Sequence, residues 1–354
     1  MGGSATDVLV VSLGSTFGLR AVDEELVQSL RRAGASVALV SAASARPRPV
    51  RTFALTDLTW ALAARRAATA GLAEHRPRAV IYSTTTASLF WPRPGAIRFD
   101  ATAGANRPGR HGLWQRPLER RRLAQAPLLL PQSAGALAEL PDALAARARG
   151  RALVVGVPVE PSGPPTPVAE RDIAAIAYAA NPAKKGIDRV LDAWSRARRA
   201  DEELVLAGAS QEELARAGVR LPVDRSSREG VRMVGRLAPT EYRALLRRAR
   251  VFVCAPRRED YGIAQLEALS DGCALVTTFA PGGYVALPIA RQLDPRLVCE
   301  DDDLNPDGLA GALRAALDDP LPDYFTRARE ELAPYTREAV DRVVRGELLP
   351  RLLT

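Results

Sequence analysis

The chain is short of several residue types, and each shortage removes a class of function. It has two histidines, His75 and His111, so neither a histidine-built metal site nor a serine–histidine triad is expected. Its three cysteines, Cys254, Cys273 and Cys299, are an odd number in a large chain and read as reduced core residues of a cytosolic protein. No apolar run reaches membrane-spanning length, and Met1-Gly-Gly-Ser-Ala-Thr6 lacks the basic-then-apolar layout of a signal peptide. Aromatic residues are 5%, and no RNP, zinc or helix-turn-helix signature accompanies the arginines. The net charge of +8 therefore points away from nucleic acid and toward a phosphate-bearing substrate or an anionic membrane surface. The sharpest shortage is lysine. Of 49 Lys and Arg residues only two are lysines, and they are neighbours, Lys184 and Lys185. A chain that uses arginine everywhere else implies that a compact ammonium is wanted in that one loop.

What is present is enough for two α/β domains: 354 residues, 47% of them hydrophobic. Short apolar runs alternate with helical stretches from the start. Strands are expected at Asp7–Ser12, Val37–Val40, Ala79–Ser83, Ile97–Phe99, Leu128–Leu130 and Ala152–Val155, forming a parallel, doubly wound sheet. The composition then breaks. Pro158–Pro167 is proline-rich without helical period and reads as a linker. A second alternation follows, with strands near Ile173–Tyr178, Leu204–Ala207, Val231–Val234, Val251–Cys254 and Ala274–Thr277. Two Rossmann-like domains facing across a cleft are expected, with ligands at the carboxyl ends of the strands. The boundaries are 1–157, a linker at 158–170, and 171–333. An amphipathic C-terminal helix, about 334–354, is expected to return to the first domain.

The most informative stretch runs from Val251 to Leu269. A buried strand ends at Pro256, a loop carries Glu259, and Tyr261-Gly262-Ile263 opens a helix that holds Glu267. The free amides of such a helix start attract an anion, and carboxylates on both sides suit hydroxyls, which is the layout of a nucleotide sugar. A second motif, Ala180-Asn-Pro-Ala-Lys-Lys-Gly-Ile-Asp188, follows the first strand of the second half. Together with Asp271-Gly-Cys-Ala and Pro281-Gly-Gly283, these stretches resemble the signature of family 4 retaining glycosyltransferases, of the GT-B fold. The resemblance implies that Glu259 contacts the transferred sugar, that Glu267 holds the ribose hydroxyls, and that Lys185 neutralises the donor diphosphate. It also places Tyr261, Gly262 and Ile263 at the donor. The family usually carries an arginine five residues before this lysine, and here Ala180 stands there. Lys184, or an arginine such as Arg257, is expected to share the phosphate charge.

Other positions carry weaker signals. Val231–Arg236 with Met233 resembles the family's strand-to-loop element facing the base, and alone is a strand and a turn. The loop with Gly14, Ser15 and Gly18 resembles the segment near donor phosphates and acceptor, or is an ordinary tight turn; it is not a dinucleotide fingerprint. Asp100 stands where the family commonly borders sugar and acceptor, or caps a helix. Arg107, Arg110 and His111 are candidates for an anionic acceptor, and Glu300–Asp303 reads as a solvated cap. The resemblance implies a retaining transfer from a UDP- or GDP-type donor to a glycan, lipid-linked or small-molecule hydroxyl, with neither metal nor cofactor. A catalytically silent nucleotide-sugar-binding subunit is the alternative, favoured by Ala180. Arg65-Arg66 and Arg116–Arg122, near Trp91 and Trp114, would rest on anionic headgroups at the inner face of a membrane, unless the arginines are solvated and the tryptophans core.

Overall fold

The computed structural model describes residues 6–45, 53–107, 109–219, 230–300 and 306–354. The chain forms two compact units, Met1–Pro158 with Tyr335–Thr354, and Val159–Pro334.

The first unit is built on five strands: β1 Val8–Ser12, β2 Val37–Ser41, β3 Ala79–Tyr82, β4 Ala96–Phe99 and β5 Leu129–Pro131. They run parallel in the order β2-β1-β3-β4-β5. All of β1, β3, β4 and β5 is buried, which is why these strands are mainly apolar; the charged exception, Arg98 in β4, is paired with buried Asp23. The expected strand Ala152–Val155 is reduced to a single bridge, Leu129 to Ala152. Pro131 explains the loss. Leu153 and Val155 still donate to the carbonyls of Leu129 and Pro131, but Pro131 has no N–H to return, so the ladder stops.

The tail closes this unit. Val340, Val344, Leu348 and Leu349 join a core of Val8, Val10, Leu26 and Leu30. Asp341 fixes the contact by accepting from Arg32 Nε at 2.6 Å and from Ser29. A π-helical turn at Val344–Leu348 interrupts the tail helix.

The second unit carries six parallel strands: β6 Ile173–Tyr178, β7 Leu204–Ala207, β8 Val231–Gly235, β9 Ala249–Cys254, β10 Ala274–Thr278 and β11 Val298–Cys299. Their order is β11-β10-β9-β6-β7-β8, so β6 and β9 are neighbours although residues 179–248 separate them. The proline-rich stretch is tied down rather than loose: Ser162 donates through N and Oγ to Asp271, at 2.8 and 3.0 Å. Of Glu300–Asp303, Glu300 pairs with Arg291 at 2.7 Å, and Asp301–Asp303 lie outside the described residues.

Candidate functional site

The register of β6 on β9 pairs Ile176 with Phe252, which brings the strand ends Tyr178 and Cys254 abreast. The two motif-bearing loops therefore leave the sheet side by side. After β6 the chain turns at Asn181, which has left-handed backbone and accepts the Lys184 N–H on its side chain. It then makes one helical turn, Pro182–Lys185. Gly186 ends that turn at φ +62°, and a Cβ there would overlap the Ala255 carbonyl oxygen. The close approach is stitched by Arg257 N–H to Lys184 O at 2.9 Å.

This docking sets both lysines against the acids of the neighbouring loop. Lys184 Nζ lies 2.5 Å from Asp260 Oδ2, and Lys185 Nζ donates to Glu259 Oε2. Glu259 and Asp260 are 5% and 6% exposed, so these are buried carboxylates compensated by cations rather than surface pairs. Glu259 is held from three further sides. Gln265 Nε2 donates to the same Oε2 at 3.0 Å, and the Glu259 N–H donates to Pro281 O at 3.0 Å. Gly282, at φ +123°, passes so near the Glu259 carbonyl that no side chain fits. Beneath lies a polar layer in which Cys254 Sγ donates to Thr277 Oγ1 at 3.2 Å and Tyr284 Oη meets the same oxygen at 2.8 Å. Burial pushes the Cys254 thiol up, so it stays protonated and serves as packing.

Gly262 is the cap of the helix Ile263–Ser270 and makes no side-chain cap bond. The helix start, the positive end of its dipole, is joined to Glu259 through Gln265 in the first turn. Tyr261 is buried beside it, its carbonyl accepting from Val285 N–H at 3.0 Å. Glu267 sits one turn along the helix, half-buried, with Arg243 Nη1 3.5 Å from Oε1. Burial pushes the Glu267 carboxyl above the usual range, and Arg243 opposes that shift.

The structure thus gathers Lys184, Lys185, Glu259, Tyr261, Gly262 and Ile263, with Glu267 on the same helix. It does not bring Met233 to this cluster: that residue lies on the edge strand β8, beyond β7. Arg257, the other candidate for the phosphate charge, is itself paired. Its guanidinium is forked on Asp188, at 2.8 and 2.6 Å, and holds the Asp188 carboxyl below its usual range. The residues that sequence reasoning missed are Asp260, Gln265 and Arg243. Asp260 had a signal, since it adjoins Glu259 just as Lys184 adjoins Lys185.

In the first unit the candidates follow separate strands. Gly14 and Ser15 come after β1, with Arg20 Nη1 on the Gly14 carbonyl at 2.8 Å, and Ser15 is exposed. Asp100 is half-buried after β4. The amide of Ala103 just beyond it is taken by both oxygens of Glu119, at 2.8 and 2.9 Å; Glu119 is another residue the sequence did not reveal. Arg107 is forked on buried Asp57, at 2.6 and 3.1 Å, while Arg110 and His111 are exposed. Among the basic helix residues Arg120 and Arg121 are exposed. Arg122 is not: it donates to Leu89 O at 2.9 Å and lies 5.1 Å from the Trp91 ring. Trp91 is 7% exposed and belongs to the core, which removes it from a headgroup contact, while Trp114 is half-buried and stacks on Phe90.

A comparison with curated protein sequences finds no match. Residues 170–319 match the family model for glycosyl transferases group 1, and that span contains every residue of the Lys184–Glu267 cluster. Solved structures match along nearly the whole chain. Sucrose-phosphate synthase from Thermosynechococcus elongatus has a TM-score of 0.71 at 15% identity, covering 99% of each chain. A trehalose-6-phosphate protein from E. coli, bound with UDP-2-fluoro glucose, has a TM-score of 0.69 at 12% identity, covering 97% of this chain and 99% of its own. Anabaena HepE, in complex with UDP and glucose, has a TM-score of 0.66 at 13% identity, with coverage of 97% and 99%. The second unit thus matches the glycosyl transferases group 1 family over residues 170–319, and the two parallel-sheet units share the GT-B fold of these structures.

Proposed function

We propose that the chain transfers a sugar from a nucleoside diphosphate sugar, of UDP or GDP type, to a hydroxyl acceptor with retention of anomeric configuration and without a metal. The observation carrying this reading is the Lys185–Glu259 pair beside the uncapped start of the helix Ile263–Ser270. A diphosphate entering there meets a compact ammonium and a helix N-terminus, both fixed before it arrives, which is how developing negative charge is stabilised at little reorganisation cost. Lys185 then exchanges Glu259 for phosphate, and Glu259, still held by Gln265, turns its carboxylate to the sugar hydroxyls. Glu267 accepts from the ribose hydroxyls. The bond from the anomeric carbon to the diphosphate oxygen breaks, and the acceptor oxygen bonds to the same face of that carbon. The acceptor's proton leaves with the nucleoside diphosphate. Diphosphate is a good leaving group once neutralised, so the reading calls on no strong general acid and no metal.

Two solved neighbours hold UDP or a UDP-sugar analogue, which favours the UDP type. Three buried free thiols suit a reducing compartment, in keeping with a cytoplasmic enzyme. The acceptor side belongs to the first unit in this reading, with Asp100 bordering the sugar and Arg110 and His111 exposed nearby. No helix among the described residues is long and apolar enough to cross a membrane. Exposed Leu113, with Arg110, Arg120 and Arg121, is the surface that would rest on anionic lipid.

The test is release of nucleoside diphosphate from UDP- and GDP-sugars, with and without an acceptor panel, by wild type and Glu267→Ala. Release by wild type that the variant loses supports the reading. No release with any donor, or equal release by both proteins, contradicts it.

A further inference from the structure

Glu267 has a fixed cationic neighbour that comes from neither motif-bearing loop. Arg243 lies on the helix Pro239–Arg248, and its side chain is 14% exposed. Its guanidinium is pinned on two sides: Nε donates to Asp271 Oδ2 at 2.5 Å, and Nη2 donates to Glu160 O at 2.7 Å. Asp271 is itself fully buried and accepts from Ser162. The remaining edge, Nη1, faces Glu267 Oε1 at 3.5 Å. A planar fork anchored twice cannot drift toward or away from the carboxylate, which a flexible lysine would do.

We propose that Arg243 is a positioning residue for Glu267, holding one carboxylate oxygen so that the other meets the ribose hydroxyls of the donor. This rests on reading Glu267 as the ribose contact. The surroundings make such a partner necessary. Burial pushes the Glu267 carboxyl up and Asp271 pushes in the same direction, while Arg243 alone of these pulls it down. Tyr178 and Tyr242, whose rings are 5.1 Å apart, also feel the Glu267 charge, and burial keeps both phenols neutral. A neutral or wandering Glu267 would lose a charged acceptor for hydroxyls.

The experiment titrates UDP, GDP and inorganic pyrophosphate into wild type, Arg243→Met and the double variant Arg243→Met/Asp271→Asn, with thermal unfolding measured alongside. The single variant strands buried Asp271, and the double variant removes that charge too, so one folded protein is available. The expected result is a loss of at least about tenfold in affinity for the better-bound nucleoside diphosphate. Pyrophosphate, which calls only on Lys185 and the helix start, should bind unchanged. In a Glu267→Ala background, Arg243→Met should cost nothing further, because Arg243 acts through that residue. Wild-type affinity in a folded variant, equal losses for pyrophosphate and nucleotide, or a fully additive loss with Glu267→Ala would overturn the proposal. Failure of the underlying reading looks different: wild type binds neither UDP nor GDP, or Glu267→Ala alone binds as wild type does.

Discussion

The candidate residues of the two units are held in different ways. In the second unit they are held by one another: Lys184 by Asp260, Lys185 by Glu259, Glu259 by Gln265. In the first unit Arg107 is spent on Asp57, Gly14 is clasped by Arg20, and Ser15, Arg110 and His111 stand at the surface. A site whose members neutralise each other before the ligand arrives is built for one kind of ligand. A set of surface side chains on separate loops is free to vary with the acceptor. On the proposed reading, the fixed chemistry, anionic leaving-group stabilisation, belongs to the second unit.

Replacing the carboxylate at the centre of the cluster should have the largest effect. Glu259→Ala should lower turnover on the order of 10²-fold, read from initial rates at saturating donor, with a smaller change in donor KM. A variant that keeps wild-type turnover would remove the asymmetry between the units. Next, glycines at the two sites should respond differently to the same change. Gly282→Ala forces a side chain against the Glu259 carbonyl and should cost about 1–3 kcal/mol in thermal or denaturant unfolding. Gly18, near the start of the helix Phe17–Arg32, has nothing within 4 Å of an added Cβ among the described residues. Gly18→Ala should be neutral or stabilising by up to about 1 kcal/mol.

The arginines of the first unit sharpen the contrast at a lower level. Arg107→Ala leaves Asp57 buried without its forked partner and should cost about 1–3 kcal/mol of stability. Arg110→Ala should stay within about 0.5 kcal/mol, and any change in acceptor KM from it would mark an acceptor contact. The smallest effect is expected at the surface. Arg120→Gln with Arg121→Gln should weaken co-sedimentation with anionic liposomes, each cation contributing about 1 kcal/mol near the headgroups. Binding that ignores both lipid charge and salt would leave the acceptor side without a membrane role.

Much of the fold was legible because strands buried on both faces carry apolar runs, as Val8–Val11 of β1 and Val251–Cys254 of β9 do. What failed was local or long-range. β11 is two residues long and leaves no periodic signal, and the bridge at Ala152 ends on the missing N–H of Pro131. At the site, Lys185, Glu259 and Glu267 were legible from motif chemistry. Their partners were not, because spatial adjacency follows the strand order β9-β6 rather than sequence distance. Arg243 reaches Glu267 from a different helix, and Arg257 pairs with Asp188 across the two motif-bearing stretches.

The central claim is that Lys185 exists for a diphosphate. It is tested most directly by calorimetric titration of wild type and Lys185→Ala with UDP and with uridine, or with GDP and guanosine if that pair binds better. The account predicts that the variant loses affinity for the diphosphate by about 1.5–3 kcal/mol while the bare nucleoside binds as before. Equal losses for nucleoside and diphosphate, or none for either, would contradict it.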